Sequence, residues 1–317
     1  MSSQVYPHRA TWKGTQMITS FEDFCLWTYV LIDDCLRQWP AALRRPGPPP
    51  RCSDAELLTM AVIGECCGWV TETELIARWG AYPRLFPILP ERSRFNRRRR
   101  QLAQVLNGVR QTLLASFALA DDRQCAIDSL PIPVMRFYWV PHSAAKADWS
   151  AAEAAIGFVA SKRQHFFGYK LHLVVTLGGV IRDFALAPAN LLDLAVGREL
   201  LATLTDLEVL GDKAYVSRPA AASLYAEAAV RLLTIPRRNQ RDQTAAVMAS
   251  EHRRLRAIIE TVIDQLAEQF RIEENHAHSF WGLCTRLYAK LTAHTLCQWL
   301  GYPVPVVRLA HRRSRLA

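Results

Sequence analysis

The order of patterns along this chain predicts an α/β fold, a mixed five-stranded sheet flanked by helices and preceded by a small all-helical N-terminal region. Three observations carry that expectation. Apolar residues recur at helical spacing up to about residue 120, and strand patterns dominate from about residue 123. Gly168 to Leu177 alternates cleanly, with Tyr169, Leu171, Leu173, Val175 and Leu177 on one face; Gly178-Gly179 then turns the chain into a returning strand over 180–187. Beyond that hairpin, helices and strands alternate one for one.

The chain has 317 residues, half of them hydrophobic, which is enough to bury a sizeable core. A formal net charge of +10 and a pI of about 9.4 point to a polyanionic partner. Nucleic acid is the usual one; an anionic membrane surface and a merely solvated basic face are the rival readings. None of the eight cysteines falls in a C-x-x-C pair, which suits reduced thiols in the cytoplasm and argues against a disulfide scaffold or a structural zinc site. No apolar run has the roughly twenty residues needed to span a bilayer. No export signal is expected; residues 1–19 read as an irregular leader, with Met17 as an alternative start.

Residues 20–120 read as helical. Ser20 can cap a helix running to Trp39, ended by Pro40, and a proline-rich linker follows over 44–51. Ser53-Asp-Ala-Glu56 is a capping box, and Thr71 opens a further helix through Trp79. Six of the nine residues from 92 to 100 are arginine: Arg92, Arg94, Arg97, Arg98, Arg99 and Arg100. Ser93 is the expected cap there, and the helix continues through Leu102, Val105, Leu106, Val109 and Leu113. Arginine without lysine favours bidentate contact with DNA phosphates over a merely solvated face. The region suits a DNA-binding or dimerising module, or else a helical bracket packed on the main domain.

The strands follow in order. Gln124 to Asp128 is an apolar strand with a terminal carboxylate, closed by Pro131 and Pro133. After the hairpin, Asn190 starts a helix with Asp193 near its N-terminal amides. Leu207 to Leu210 is a short strand ending at Gly211-Asp212, and Ser217 and Pro219 start another helix. A fifth strand over 231–235 is closed by Pro236-Arg-Arg-Asn239, and a long helix runs from about Ala245 to Phe270. Three antiparallel strands followed by two in α/β alternation is an RNase H-like order.

Asp128 and Asp212 thus end two strands, and rigid elements that converge on carboxylates suit magnesium, which takes oxygen ligands. Glu260 is the third candidate. Its helix has a core stripe of Leu255, Ile259, Val262, Leu266 and Phe270, and Glu260 lies roughly 120° from the middle of it, on the flank. Arg256 and Arg253 share that flank, so the plainer reading pairs Glu260 with Arg256 as a surface ion pair. Lys213 can meet phosphate, His172 reads as structural, and Tyr215 reads as a core aromatic more readily than as a stacking platform.

Several blocks together, Ala126 to Val134, Phe166 to Ile181, Ala187-Pro-Ala-Asn190, Leu210-Gly-Asp-Lys-Ala-Tyr215, Arg238-Asn239 and Arg256 to Val262, resemble the DDE transposases of the insertion sequence 982 family. The resemblance spans about residues 20 to 300 and departs at Ala214, where a glycine commonly stands. It implies an RNase H-like catalytic DDE domain over 121–300, after the helical region 20–120 and before a basic tail 301–317. It implies catalytic, metal-holding acids at Asp128, Asp212 and Glu260, with Mg²⁺ (or Mn²⁺), as two ions, as cofactor. The enzyme so implied binds the terminal inverted repeats of its own element in double-stranded DNA, hydrolyses the phosphodiester at each end and joins the 3′-hydroxyl to target DNA. It works as a homodimer in the nucleoid-associated cytoplasm. DNA contacts are expected from the six arginines and from Lys170, Lys213, Arg238, Asn239, Arg253 and Arg256. The alternatives are a catalytically decayed DNA-binding copy and a standalone RNase H-like nuclease.

Overall fold

The protein is described by a computed structural model covering residues 18, 20–45, 47–117, 119, 122–159, 162–234 and 249–300. Arg238, Asn239, the leader apart from residue 18, residues 245–248 and the basic tail lie outside the described residues. The chain forms two compact units, one from the residues up to Phe117 together with those from Glu268 onward, the other from Ala118 to Ala267.

The first unit is helical. Its elements are α1 (Phe21–Arg37), α2 (Pro40–Leu43), α3 (Asp54–Cys66), α4 (Glu72–Trp79), α5 (Arg92–Gln101) and α6 (Ala103–Ala115), and residues 280–300 return to it as the last helix. Ser20 and Ser53 both close capping boxes, and Thr71 accepts from the Glu74 amide. The helix expected from Ser93 differs in two ways. Glu91 is the cap, with the Ser93 hydroxyl donating to it, and the helix breaks at Leu102 into α5 and α6. Helix α3 is buried on nearly every side, as a helix apolar all round must be.

This unit also buries charge, much of it in ion pairs. Lys290 donates to Glu65 at 2.6 Å and to the Phe270 carbonyl at 2.5 Å. Glu72 accepts from Arg99 at 2.7 Å and from Arg286 at 2.5 Å. The two guanidinium groups hold the Glu72 carboxyl below the usual range against the opposing effect of burial. All eight cysteines of the chain are free thiols.

The second unit is a mixed sheet with helices. It contains β1 (Gln124–Met135), a 3₁₀ turn (Phe137–Trp139), α7 (Ala145–Ala151), β2 (Ala155–Val159), β3 (Gln164–Thr176), β4 (Ile181–Pro188), α8 (Asp193–Ala202), β5 (Glu208–Gly211), a second 3₁₀ turn (Lys213–Tyr215), α9 (Arg218–Ala228), β6 (Arg231–Thr234) and α10 (Ala249–Asp264). The last helix of the chain, α11, spans Phe280–Leu300. Six strands are present among the described residues, in the order β2-β3-β1-β5-β6 with β4 also paired to β3. β1 runs antiparallel to β3, and β5 lies parallel both to β1 and to β6.

The expected five strands are therefore six. β2 escaped notice because its large residues Ile156 and Phe158 face solvent while Gly157 packs inward, the reverse of the usual alternation. β1 also continues past Asp128 to Met135 through both prolines. Its parallel ladder with β5 stops at Ile127–Gly211, while the antiparallel ladder with β3 continues. Two prolines spaced by two present the same backbone edge, and proline is tolerated where that edge has no ladder. Helix α8 begins at Asp193 after Leu192, three residues later than Asn190 suggested. The core of this unit packs Cys125, Ile127, Val174 and Val209 of the sheet against Leu200, Leu201 and Leu224 of α8 and α9.

Candidate active site

The parallel register of β1 and β5 determines what the site contains. Ile127 and Gly211 are the last paired residues, so Asp128 and Asp212 follow side by side on strands roughly 5 Å apart. Asp128 is half-buried; its neighbour Asp212 is exposed, its carboxylate accepting from the Ala214 amide at 2.7 Å. Burial lifts the Asp128 carboxyl to about 6, and the charges of Asp212 and Asp193 push the same way. The Ser129 amide, donating at 2.7 Å, and the Arg256 guanidinium oppose that rise.

Helix α10 packs against β1, β3 and β5 through its stripe, with Leu255, Ile259 and Val262 buried. Glu260 lies on its exposed flank, and there Arg256 donates to it at 2.8 Å. Arg256 also feels the charges of Asp128 and Asp212, so this one guanidinium stands within electrostatic reach of all three acids. The pairing that sequence spacing allowed between Glu260 and Arg256 is the one present. Among the described residues no group of three or more His, Cys, Asp or Glu side chains is gathered tightly enough to hold a metal ion.

A second layer lies beneath the pair. Tyr215 is buried, and its hydroxyl meets His172 Nδ1 at 3.3 Å. Its ring needs the two glycines around it, because a Cβ at Gly197 would come within 2.5 Å of the ring and one at Gly211 within 2.8 Å of Tyr215 Cβ. Burial keeps His172 neutral, its pKa pushed down to about 4, and its Nε2 is buried with no partner among the described residues. His172 and Tyr215 thus occupy structural places.

Sequence reasoning missed Asp193 as a neighbour of Asp128. Lys170, expected on DNA, instead donates to Asp193 and, at 2.5 Å, to the Leu191 carbonyl, which ties the start of α8 to β3. An acid at a helix start, opposite a lysine on the polar side of β3, was the available signal. Lys213, Arg253 and Arg256 are exposed on the same unit as the acids.

The six arginines divide. Arg92, Arg94, Arg97 and Arg100 are exposed, whereas Arg98 and Arg99 are buried. Arg98 donates twice to Asp54, at 2.8 and 2.5 Å, and Arg99 pairs with Glu72 while lying over the Phe95 ring. Those two guanidinium groups are engaged inside the fold, which corrects the expectation that all six face DNA. The helical phase explains the split: Phe95, Arg98, Arg99 and Leu102 fall at i, i+3, i+4 and i+7, one face of a helix.

No helix among the described residues is long and apolar enough to cross a membrane. Residues 127–280 match a family model described as "Transposase DDE domain". The stretch includes Asp128, Asp212 and Glu260, and the match supports a DDE transposase, an enzyme that cuts and transfers DNA. No curated protein and no solved structure matches the chain.

Proposed function

We propose, from that match and the acid pair, that this chain is an insertion-sequence transposase of the 982 family, built on an RNase H-like core. In this reading it binds the ends of its own element, cuts them and joins them to target DNA as a homodimer. The observation that carries it is the adjacency of Asp128 and Asp212 where the β1–β5 ladder ends. With all-oxygen donors, and one carboxyl lifted to about 6 by burial beside a second acid, the pair fits a divalent cation. Asp128 and Asp212 would hold it, and Glu260 would join them once Arg256 lets go of it. Mg²⁺ or Mn²⁺, as two ions held there, would supply positive charge against the negative charge that develops during phosphoryl transfer.

The chain's own residues do the rest. Ala214 and Ser129 orient the two carboxylates through backbone amides. Arg256, released from Glu260, faces a phosphate, as do the exposed Lys213 and Arg253. Arg92, Arg94, Arg97 and Arg100 form an exposed basic face on α5 that suits backbone contact with the element end. In the first step a water oxygen bonds to phosphorus and the P–O3′ bond breaks, leaving a 3′-hydroxyl. In the second that hydroxyl attacks a target phosphodiester and displaces its O3′. A DNA-binding copy without chemistry is the second reading, and the Glu260–Arg256 pair is what favours it.

The test is an oligonucleotide carrying the element's terminal repeat, incubated with Mg²⁺ or Mn²⁺. Cleavage leaving a 3′-hydroxyl is expected, falling on the order of a thousandfold in Asp128→Ala and Asp212→Ala. Cleavage that survives both substitutions would remove the assignment. Cutting that ignores the repeat would mark a nuclease without strand transfer.

A further inference from the structure

Surface aromatic rings are concentrated in one place on the second unit. Phe137, Tyr138 and Trp139, the whole of the 3₁₀ turn after β1, are 43%, 74% and 55% exposed, and Phe158 on the edge strand β2 is 55% exposed. They form two small groups, one joined through His165 and one made by Tyr138 with Trp139. His165 stacks on Phe137 with centroids 5.9 Å apart and meets Phe158, its cross-strand neighbour, at 4.9 Å. Tyr138 sits edge-on to Trp139 at 5.4 Å. Exposed apolar surface gathered this way marks a binding site more often than chance exposure does.

Charge decides the partner. Arg136 precedes the turn, and Lys162 and Arg163 precede β3, so cationic side chains flank the rings on a chain of net charge +10. Rings edged by cations suit nucleobases, whose π-faces stack on aromatic side chains while the phosphates meet the charges. Paired bases in a duplex hide those faces, so the partner is a strand with unpaired bases. β1 also runs from Asp128 to Met135, just before the turn, with a bulge after Pro133, so at most about 23 Å of strand separates that acid from the rings.

We infer that Phe137, Trp139 and Phe158 form a stacking platform for unpaired bases of the DNA engaged at the acid pair. This rests on the DNA-processing reading above, and the experiment separates the two. The full chain is titrated, at one salt concentration, into a labelled blunt duplex of arbitrary sequence and into the same duplex with a single-stranded overhang of about six nucleotides, a length within single-strand site sizes. The overhang should tighten binding by on the order of tenfold. Phe137→Ala with Trp139→Ala should remove most of that gain and leave the blunt duplex within about twofold, since the rings are on the surface. Trp139→Phe, which keeps a ring, should retain the gain.

A gain unchanged in the double variant overturns the inference, as does equal weakening on both substrates. So does a double variant that turns a dimer into a monomer in sedimentation while keeping the gain, which would make the rings a self-association surface. A wild-type chain that binds the blunt duplex and ignores the overhang removes this inference alone. One that binds neither removes the proposed function with it.

Discussion

The two units differ in what surrounds their most deeply placed carboxylates. In the helical unit Glu65 faces Lys290, Glu72 faces Arg99 and Arg286, and Asp54 faces Arg98. In the sheet unit Asp193 has Lys170, but Asp128 is desolvated beside Asp212, with the Ser129 amide and Arg256, itself bonded to Glu260, working against that. An ionised carboxylate taken out of water needs a partner. Where the fold alone is at stake, as in the first unit, the partner is built in. A half-buried carboxylate whose pKa is raised beside a second acid marks a candidate functional site.

The largest effect should come from breaking a built-in pair. Lys290→Met leaves Glu65 buried and alone, which costs roughly 3–5 kcal/mol. Denaturant unfolding should show that loss, and an unchanged midpoint would mean the first unit does not depend on its paired charges.

The opposite sign is expected at Asp128. Its folded carboxyl lies at about 6, above its ordinary value near 4, so ionising it weakens the fold. That stability is fully present below about pH 4 and is lost as pH rises through about 6. Without divalent metal, Asp128→Asn should therefore be more stable than the wild type by roughly 2–3 kcal/mol at pH 8, the advantage vanishing near pH 4. Urea melts across that range would show it. A variant less stable than wild type at pH 8 would make Asp128 a structural residue like Glu65.

Helix α5 carries the same contrast within ten residues. Arg94→Ala, Arg97→Ala and Arg100→Ala together should leave stability within about 0.5 kcal/mol each. They should lower the salt slope of duplex binding by about 0.9 for each phosphate that an arginine no longer neutralises. Arg98→Ala should do the reverse, destabilising by a few kcal/mol because Asp54 loses its bidentate partner. Equal effects on both sets would erase the distinction between the outer and inner arginines.

Much of this was legible in the sequence, and the reasons for the rest are physical. The β3–β4 hairpin was visible because Gly178-Gly179 and strict alternation are local signals. So were the capping box at Ser53 and the flank position of Glu260. Asp128 and Asp212 could be named as strand ends, yet their adjacency depends on β1–β5 register, which no local pattern encodes. β2 stayed hidden because its function, on the inference above, is to show rings to the outside. The inward turn of Arg98 and Arg99 was readable from the phase of Phe95 and Leu102, but a run of arginines drew attention to charge instead of phase. The Lys170–Asp193 tie joins residues 23 apart across two elements and becomes visible only when they pack. The return of α11 to the first unit is likewise a long-range event.

The most direct measurement of the central claim is the thermal response of the full chain to Mn²⁺. A cation held by Asp128 and Asp212 should raise the wild-type melting midpoint by on the order of 5 °C at saturation. Asp128→Asn and Asp212→Asn, folded and melting normally without metal, should show no rise. The same rise in all three proteins, or none in the wild type, would contradict the assignment of the acid pair.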